Sequence, residues 1–320
     1  MTLTQLRYLV AIADSGFNIT QAAEKVHATQ PGLSKQLKQL EDELGFQLFL
    51  RKGRSLEGVA PAGAKVIEHA RRILAEAANI RSYAANERGE FSGRLLLATT
   101  HTQARYVLPR VLADITRRYP QVSVDLFAAG DAEVLEKLDE ADFGLISTAG
   151  SVPSTQGIAV PLFRWKRVLL VPKTHPLAVL GRAPTVEELA RYPLISYESS
   201  TLPESSLQRT FAAAGVRPQI AMTARDANLI KTYVRTGLGA GVLAEMAVGA
   251  HEDDDLRVIE APQELPECIT WAVVPRGRVL REYALALLHA LAPQVDARDL
   301  RRILEGNLEP HWPELPRWKA

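Results

Sequence analysis

The amino-terminal part of the sequence carries apolar residues at helical spacing, in three successive groups. The first group runs from Leu3 to Ala13, stops before Gly16, and predicts an amphipathic helix. A short break at His27 and Ala28 separates the other two groups, which predict a pair of helices. Their apolar positions are Ile19, Ala22, Ala23 and Val26 in the second group, and Leu33, Leu37, Leu40 and Leu44 in the third. Together the three helices would enclose a small core.

Residues that favour helix starts stand where the second and third helices should begin. Asn18 and Thr29 are both good N-cap residues, and Gln21 completes a capping-box pattern with Asn18. Pro31 is tolerated in the first turn of the third helix, because the amides there have no helical partner. The pattern therefore predicts two short helices with a tight turn between them.

The third helix presents polar side chains on the face opposite its leucines. Lys35 and Lys38 fall on that face, with Ser34 on its flank. This arrangement is typical of the recognition helix of a helix-turn-helix, which lies in the major groove of DNA. The whole helix-turn-helix would comprise residues 19–38, from Ile19 to Lys38. The alternative is an ordinary helical hairpin with a solvated basic face, since such patterns also arise by chance.

A predicted hairpin follows the third helix. Residues 46–49 indicate a short strand, residues 51–54 (Arg51, Lys52, Gly53 and Arg54) a basic turn, and residues 56–59 a return strand. Such a wing can follow the sugar-phosphate backbone beside an occupied groove. The alternative is a solvated hairpin tip with no ligand.

Residues 61–88 form a long helical segment with a repeated apolar seam. The seam consists of Val66, Ala70, Ile73, Ala77, Ile80 and Ala84, spaced alternately by four and three residues. This spacing is what a paired helix requires, so the segment is interpreted as a dimerising linker. The alternative is a helix that packs only on its own chain.

These amino-terminal motifs resemble the winged helix-turn-helix and linker of LysR-type transcriptional regulators. The residues that carry the resemblance are Leu3, Gln5, Leu6, Ala22, Ala23, residues 29–37, Leu40, Glu41, Leu44, Gly45, Leu48, Phe49, Arg51 and residues 61–63. Ala60 departs from the family, which usually has a threonine there, so the linker helix should lack a side-chain cap. The resemblance implies double-stranded promoter DNA as a partner, contacted by residues 19–38 (Pro31 included). In that motif Gln30, Ser34 and Lys35 would approach bases, while Lys38, Arg51 and Arg54 would hold phosphates.

Beyond a polar hinge at residues 87–93, predicted strands and helices alternate, which favours parallel sheets covered by helices. The resemblance implies a two-lobed α/β domain like the periplasmic binding proteins. The expected organisation is a DNA-binding domain at 1–59, a linker at 60–90 and an effector domain at 91–293. Within the last, lobe I would comprise 91–160 and 268–293, and lobe II 161–267, with crossings near Val160 and Glu267. Residues 294–320 would be a tail, with Trp312 and Trp318 exposed.

Hydroxyl and amide side chains are concentrated where a predicted strand meets a helix at residues 98–105. Thr100, Thr102 and Gln103 lie there, at the carboxyl end of the strand, where open α/β sheets bind ligands. Free first-turn amides would join them, so the turn is a candidate anion site. The alternative is a threonine-rich helix cap with a solvated His101.

This turn, together with residues 224–226 and 230–239, resembles the cysteine-regulon subgroup of the family, which includes the CysB and Cbl regulators. The resemblance implies an effector such as sulfate, thiosulfate or an acetylserine, held by Thr100, Thr102 and Gln103. A further hydroxyl maps onto Ser147 or Thr148. A family threonine falls on Leu202, where Thr201 or Ser200 could substitute. Glu198 and Glu204, in the same loop, are unexpected beside an anion.

Composition restricts the alternatives. Apolar residues make up 47% of the 320 residues and charged residues 23%, as in soluble globular proteins. No apolar run could span a bilayer, and no export signal precedes the first helix. The single cysteine, Cys268, fits a reducing compartment, so a cytoplasmic location is expected, with no membrane partner.

The net charge of +1 does not by itself indicate nucleic acid, but bases outnumber acids between Lys25 and Arg54. No metal spacing, phosphate loop or nucleophile motif appears, so neither an enzyme nor a cofactor is expected. We interpret the chain as a regulator of cysteine-biosynthesis or sulfur-assimilation genes that self-associates as a dimer and tetramer. The alternatives are a LysR-type regulator with a carboxylate or aromatic effector and, from another class, a solute-binding protein or enzyme.

Overall fold

The computed structural model describes residues 1–53, 55–249 and 252–319, and it forms two compact units that meet between Arg88 and Gly89. The described part of the first unit contains α1 (Leu3–Asp14), α2 (Ile19–Lys25), α3 (Gln30–Leu44), β1 (Phe49–Lys52), β2 (Ser55–Val59) and α4 (Pro61–Glu87). This order of elements confirms the predicted winged helix-turn-helix followed by a linker helix.

The predicted caps start α2 and α3. The Asn18 side chain accepts a hydrogen bond from the Gln21 amide at 3.1 Å, and the Thr29 hydroxyl accepts one from the Gly32 amide at 3.3 Å. The apolar faces of the helices form one core, to which α3 contributes Leu33, Leu37 and Leu40, all buried. The polar face of α3 is consequently left to solvent.

The wing is displaced from its predicted register. Residues 46–48 were expected in the first strand, but β1 begins at Phe49 and pairs antiparallel with β2. The reason lies in Glu41, a buried residue of α3, whose carboxylate accepts a hydrogen bond from the Leu48 amide at 2.8 Å. That amide is therefore not available to a strand. Arg51 and Lys52, expected in the turn, belong to β1, and Arg54 lies outside the described residues.

The start of helix α4 packs tightly against the rest of the first unit, whereas apolar residues further along the helix are exposed. A Cβ atom at Gly63 would lie 2.1 Å from the Leu48 carbonyl oxygen, so only glycine fits there. Ile67 and Ala70 are buried, whereas Ile73 and Ile80 are 40% and 64% exposed. Only the second half of the predicted seam is thus open to a partner. Ala60 provides no side-chain cap, as its departure from the family predicted.

The second unit contains two five-stranded sheets, one in each lobe. In chain order, the helices and strands of its described part are β3 (Gly93–Thr100), α5 (His101–Tyr106), α6 (Leu108–Arg118), β4 (Val122–Ala129), α7 (Asp131–Glu136), β5 (Phe143–Thr148), β6 (Ile158–Trp165), β7 (Arg167–Pro172), α8 (Val186–Leu189), β8 (Pro193–Tyr197), α9 (Ser206–Ala213), β9 (Gln219–Ala224), α10 (Ala227–Arg235), β10 (Ala240–Ala244), β11 (Leu256–Glu260), β12 (Cys268–Val274), α11 (Glu282–Leu291) and α12 (Ala297–Leu304).

Lobe I has the strand order β4-β3-β5-β12-β6, and lobe II has the order β11-β7-β10-β8-β9. The two-lobed architecture confirms the predicted fold class, but neither sheet is purely parallel. Strand β12 returns from lobe II and therefore runs antiparallel to both β5 and β6. In lobe II, β7 is antiparallel to β10 and β11. Strands β6 and β11 were not predicted from the sequence.

The first crossing between the lobes lies later than predicted. Val160 and Pro161 are inside β6, which pairs with β12 along its length, so the chain leaves lobe I only at Lys166. The return falls before β12, close to the predicted Glu267. The helical segment that follows β3 is divided at Val107 into α5 and α6, because Pro109 lacks the amide needed to continue the helical hydrogen bonds.

The carboxyl-terminal residues belong to lobe I and are not a separate tail. Leu300, Ile303 and Leu304 of α12 are buried in its core, and residue 164 forms a bridge with residue 317. Trp312 and Trp318, expected to be exposed, are half-buried, and the Trp318 ring lies 4.9 Å from that of Phe163. Apolar contact with lobe I explains why these tryptophans leave solvent. Across the described residues, the helices are too short or too polar to cross a bilayer.

Candidate functional site

The amino-terminal half of α3 is an exposed polar surface. Lys35 and Lys38 are exposed and form no ion pair with any residue that the structure describes. Gln30 and Pro31 are also exposed, and Ser34 is half-buried. The structure thus brings the predicted base-contacting and phosphate-contacting residues of this helix to one open end. Two unpaired ammonium groups there attract a polyanion such as the DNA backbone.

The wing contributes less free charge than the sequence indicated. The Arg51 guanidinium donates a hydrogen bond to the Glu41 carboxylate at 2.7 Å, and Lys52 pairs with Glu57 at 3.2 Å. Arg51 therefore helps to hold the wing on α3, and only the part of its guanidinium that faces solvent remains for a phosphate. The prediction for Arg54 concerns a residue outside the described ranges.

A cavity of about 410 Å³ lies between the two lobes of the second unit. From lobe I, the strand-to-helix turn contributes Thr100, Thr102 and Gln103, as predicted, and the end of β5 contributes Ser147 and Thr148. From lobe II come residues of the loop that follows β8 and the start of α9. The cavity is larger than a single oxyanion requires and is within the range of pockets for organic ligands, roughly 300–1,000 Å³.

Ser147 and Thr148, the two candidates at the end of β5, make different hydrogen bonds. The Gln103 amide nitrogen donates to the Ser147 hydroxyl at 2.9 Å, and that hydroxyl lies 3.2 Å from the hydroxyl of Thr270. Thr148 instead donates to the Ser151 carbonyl and accepts from the Trp271 indole nitrogen at 2.8 Å. Both residues line the cavity, and Ser147 is the one that is hydrogen-bonded to Gln103.

In the loop after β8, the structure separates the candidates. Leu202 lines the cavity, although its side chain cannot form hydrogen bonds, and Ser200 lines it too. Thr201 does not line it; its hydroxyl donates to the Glu198 carbonyl at 2.8 Å and its side chain is exposed. Of the two residues that could replace the missing threonine, Ser200 therefore lines the cavity and Thr201 does not, because the short helical turn at Glu198–Thr201 directs the Thr201 side chain outward.

Several contacts join the two lobes. The Thr102 hydroxyl lies 3.4 Å from the Tyr197 hydroxyl at the cavity, and the Asn228 side-chain amide donates to the Tyr106 hydroxyl at 3.0 Å. Burial raises the pKa of Tyr106 to about 12, so its hydroxyl stays protonated. Burial also raises the pKa of Tyr197. Both phenols can therefore act as neutral hydrogen-bonding groups across the interface between the lobes.

A charged bridge also spans the lobes. Arg225 of lobe II pairs with Glu133 of α7 in lobe I at 3.1 Å and with Glu198 of its own lobe at 2.7 Å. A hydrogen bond from the Gly130 amide lowers the pKa of the Glu133 carboxyl group, and the positive charge of Arg225 lowers it further. Glu198, which the sequence placed unfavourably near an anion, is therefore neutralised by Arg225. Glu204 remains exposed at the cavity rim.

Sequence reasoning missed three charged residues that line the cavity: Asp131 and Arg167, which are half-buried, and Arg209, which is exposed. Asp131 is the first residue of α7, and Arg167 opens β7. The available signals were weak: an aspartate that follows a glycine after a strand, and a lone arginine ahead of an apolar strand. Their partners lie far away in the sequence, so spacing alone could not place them at one cavity.

Profiles of two parts of one family match the chain. The profile described as "Bacterial regulatory helix-turn-helix protein, lysR family" matches residues 3–63, and the one described as "LysR substrate binding domain" matches residues 88–296. The regulator CysB of Haemophilus influenzae is 37% identical over 296 residues, which cover 92% of this chain and 91% of that protein.

Two further comparisons agree with these matches. The regulator SsuR of Burkholderia cenocepacia is 36% identical over 307 residues, covering 95% of this chain and 99% of that protein. The crystal structure of the cofactor-binding domain of the Cbl transcriptional regulator has a TM-score of 0.60 and 34% identity, and covers 67% of this chain and 94% of that domain.

Proposed function

The chain belongs to the LysR family of transcriptional regulators, and from this premise we propose that it controls genes of cysteine biosynthesis or of sulfur and sulfonate assimilation. It binds promoter DNA through α3 and the wing, and it responds to a small sulfur-related effector in the cavity between its lobes. The observation that carries the proposal is the similarity to CysB along almost the whole length of both chains, through the DNA-binding and the effector parts alike.

The surface of α3 supports the DNA-binding half of the proposal. Its first turns present a side-chain amide at Gln30, a hydroxyl at Ser34 and an ammonium group at Lys35, all at the end of the helix that enters a groove. In this arrangement Lys38 and the free side of Arg51 contact phosphates, which position the helix, while the shorter polar side chains read base edges.

The contacts between the lobes support the sensing half. An effector changes the activity of a protein only if it binds two conformations with different affinity. The Thr102–Tyr197 contact and the Arg225–Glu133 ion pair join the two lobes through residues that line the cavity, and the Tyr106–Asn228 hydrogen bond joins them elsewhere. A ligand such as sulfate, thiosulfate or an acetylserine that replaces one of these contacts favours a different lobe arrangement.

Oligomerisation, location and the absence of catalysis complete the proposal. The exposed Ile73 and Ile80 of α4 supply an apolar seam for a second copy, so the working form is a dimer or a tetramer made of two such dimers. We place it in the cytoplasm, where promoter DNA and metabolites meet. The same cavity serves sensing without catalysing a reaction.

Two measurements test the proposal. In a gel-shift series over promoter fragments, Lys35→Ala should weaken binding and relax sequence preference, and unchanged binding to every fragment would refute the DNA-binding role of α3. In calorimetry with sulfate, thiosulfate and O-acetylserine, Thr102→Ala should reduce the heat of binding. Identical heats for the parent and the variant would exclude Thr102 from the effector site.

A further inference from the structure

Two hydrogen-bond acceptors on the lobe I wall of the cavity lack adequate donors. Asp131 accepts a hydrogen bond from the Ser147 amide at 3.3 Å, and no described cationic side chain pairs with it. Gln103 is only 1% exposed, and its Oε1 atom has no hydrogen-bond partner among the described residues. Because Ser147 also accepts from the Gln103 amide nitrogen, both acceptors belong to one small cluster. Buried acceptors without donors are costly, so the cluster favours a ligand that donates.

The electrostatics of Asp131 indicate that the missing donor is a cation. Burial raises the pKa of its carboxyl group above the ordinary value, and the Ser147 amide lowers it only in part. A buried carboxylate without a counter-ion is destabilised, and a nearby positive charge reverses that effect. A sulfate dianion at this point would add like charge instead.

The lobe II wall carries the opposite charge without a charged partner. Arg167 is half-buried, and its guanidinium donates to the Ser206 hydroxyl at 2.7 Å and to the Pro266 carbonyl at 3.2 Å. Both acceptors are neutral, and no described carboxylate lies within ion-pair distance of this guanidinium. Because arginine stays protonated in proteins, Arg167 provides a permanent cation for an anionic group of the ligand.

The two unpaired charges act on the same region of the cavity. Burial raises the pKa of the Cys268 thiol. The charge of Arg167 lowers this pKa, and the charge of Asp131 raises it. Asp131, Arg167 and Cys268 all line the same cavity, so both charges face one ligand space. Arg225, by contrast, already pairs with two carboxylates, Glu133 and Glu198. Among the described residues that line the cavity, Asp131 and Arg167 are the half-buried carboxylate and guanidinium without a charged partner, and Arg209 is an exposed cation at the rim.

We propose that the effector is a small zwitterion whose ammonium group binds Asp131 and Gln103 Oε1 and whose anionic group binds Arg167. Amino acids and aminosulfonates belong to this class, and the cavity volume of about 410 Å³ accommodates them. This inference rests on the proposed function, because it specifies what the same cavity receives. It assigns the lobe I cluster to the cation, and so differs from an oxyanion held by Gln103.

Calorimetry on the full chain with matched ligand pairs tests this assignment. Taurine and isethionate share a sulfonate, and one carries an ammonium group where the other carries a hydroxyl. O-acetylserine and N-acetylserine are isomers that carry the acetyl group on the hydroxyl or on the amine, so only O-acetylserine has an ammonium group. In each pair we expect the ammonium-bearing ligand to bind at least about tenfold more tightly, the scale of a charge-assisted hydrogen bond. Inorganic sulfate serves as the anion alone.

Variants connect the preference to its residues. Asp131→Asn retains an acceptor for the Ser147 amide and should abolish the preference for an ammonium group. Glu204→Gln, which removes an exposed carboxylate at the rim, should leave it intact. Arg167→Gln should weaken every sulfonate and carboxylate probe by about tenfold or more. Thermal melting of each variant confirms that it is folded.

Three outcomes would overturn the proposal: equal affinities within both pairs, a preference that persists in Asp131→Asn, or no binding of either ammonium-bearing ligand. If sulfate alone binds, the zwitterion is excluded while the proposed function stands. Promoter binding, measured on the same preparation, tests the proposed function independently of the zwitterionic effector. Its loss would contradict the proposed function, yet an ammonium preference that depends on Asp131 would remain valid.

Discussion

The recognition surface and the cavity use charge in opposite ways. On α3, Lys35 and Lys38 are exposed and unpaired within the described chain, so they meet water and salt on most sides. In the cavity, Asp131 and Arg167 are half-buried, and their hydrogen bonds with the described residues are all to neutral groups. An exposed ammonium attracts any polyanion and is screened by salt, whereas a buried charge discriminates strongly between ligands. The DNA surface should thus be general and salt-sensitive, and the cavity selective.

The largest expected effect comes from a change in α4, which should weaken DNA binding and leave ligand binding in the cavity unchanged. Ile80→Asp places a charge in the proposed apolar seam, and we expect at least about a hundredfold weaker self-association, since an unpaired charge buried in such a seam costs about 3 kcal/mol or more. DNA affinity should fall with it, while ligand heats should not change. Sedimentation velocity measures self-association, and calorimetry measures the heat of ligand binding. Ala75→Asp, on an exposed position of the same helix, is the control; equal oligomers for both variants would exclude the seam.

The next effect concerns the open charge itself. Lys35→Ala should weaken promoter binding by about 10- to 100-fold, corresponding to about 1–3 kcal/mol for a base or phosphate contact, and should reduce the salt dependence. Fluorescence anisotropy at several salt concentrations measures both. Lys173→Ala removes an exposed lysine of the second unit and should have no effect. If the two variants lose equal affinity, the charge on α3 has no special role.

A packing change tests how much the close contact at the start of α4 contributes to stability. Gly63→Ala places a methyl group against the Leu48 carbonyl, and overpacking of this kind costs about 1–3 kcal/mol of unfolding free energy. Gly58→Ala, whose added Cβ atom would lie 3.9 Å from its nearest neighbour, is the matched control. Thermal unfolding should show a lower transition temperature for the first variant only. Equal transitions for both would mean that α4 can move away from the wing.

The smallest effect is a pH dependence confined to the cavity. The pKa of Asp131 is raised in the free protein, and an ammonium ligand requires the ionised carboxylate. Affinity for taurine should therefore be full well above that raised pKa and fall as the pH drops through it, starting at a higher pH than an ordinary aspartate would give. Calorimetry across the acidic range measures this, and Asp131→Asn should remove the dependence. Isethionate affinity should not follow the same curve.

The sequence predicted the parts of this protein that depend on neighbouring residues. The leucine spacing and the caps Asn18 and Thr29 are local, and they placed α2 and α3 correctly. The wing register was missed because Glu41, which belongs to the preceding helix, takes the Leu48 amide. The apolar pattern of residues 46–49 could not reveal that hydrogen bond.

The cavity shows the same limit on a longer scale. Thr100, Thr102 and Gln103 lie in one strand-to-helix turn, so their common location could be predicted. Asp131 and Arg167 acquire their meaning only from burial and from partners in other segments, such as Ser147 and Ser206. The carboxyl-terminal helix was misjudged for a related reason, because its mixed-charge sequence conceals the buried positions that pack on lobe I.

Footprinting of the full chain on its own promoter, with and without saturating O-acetylserine, tests most directly whether the DNA surface and the cavity belong to one switch. The account predicts that the ligand changes the length or position of the protected region, because it alters the arrangement of the lobes in linked copies. An identical footprint at a ligand concentration that calorimetry shows to be saturating would contradict it.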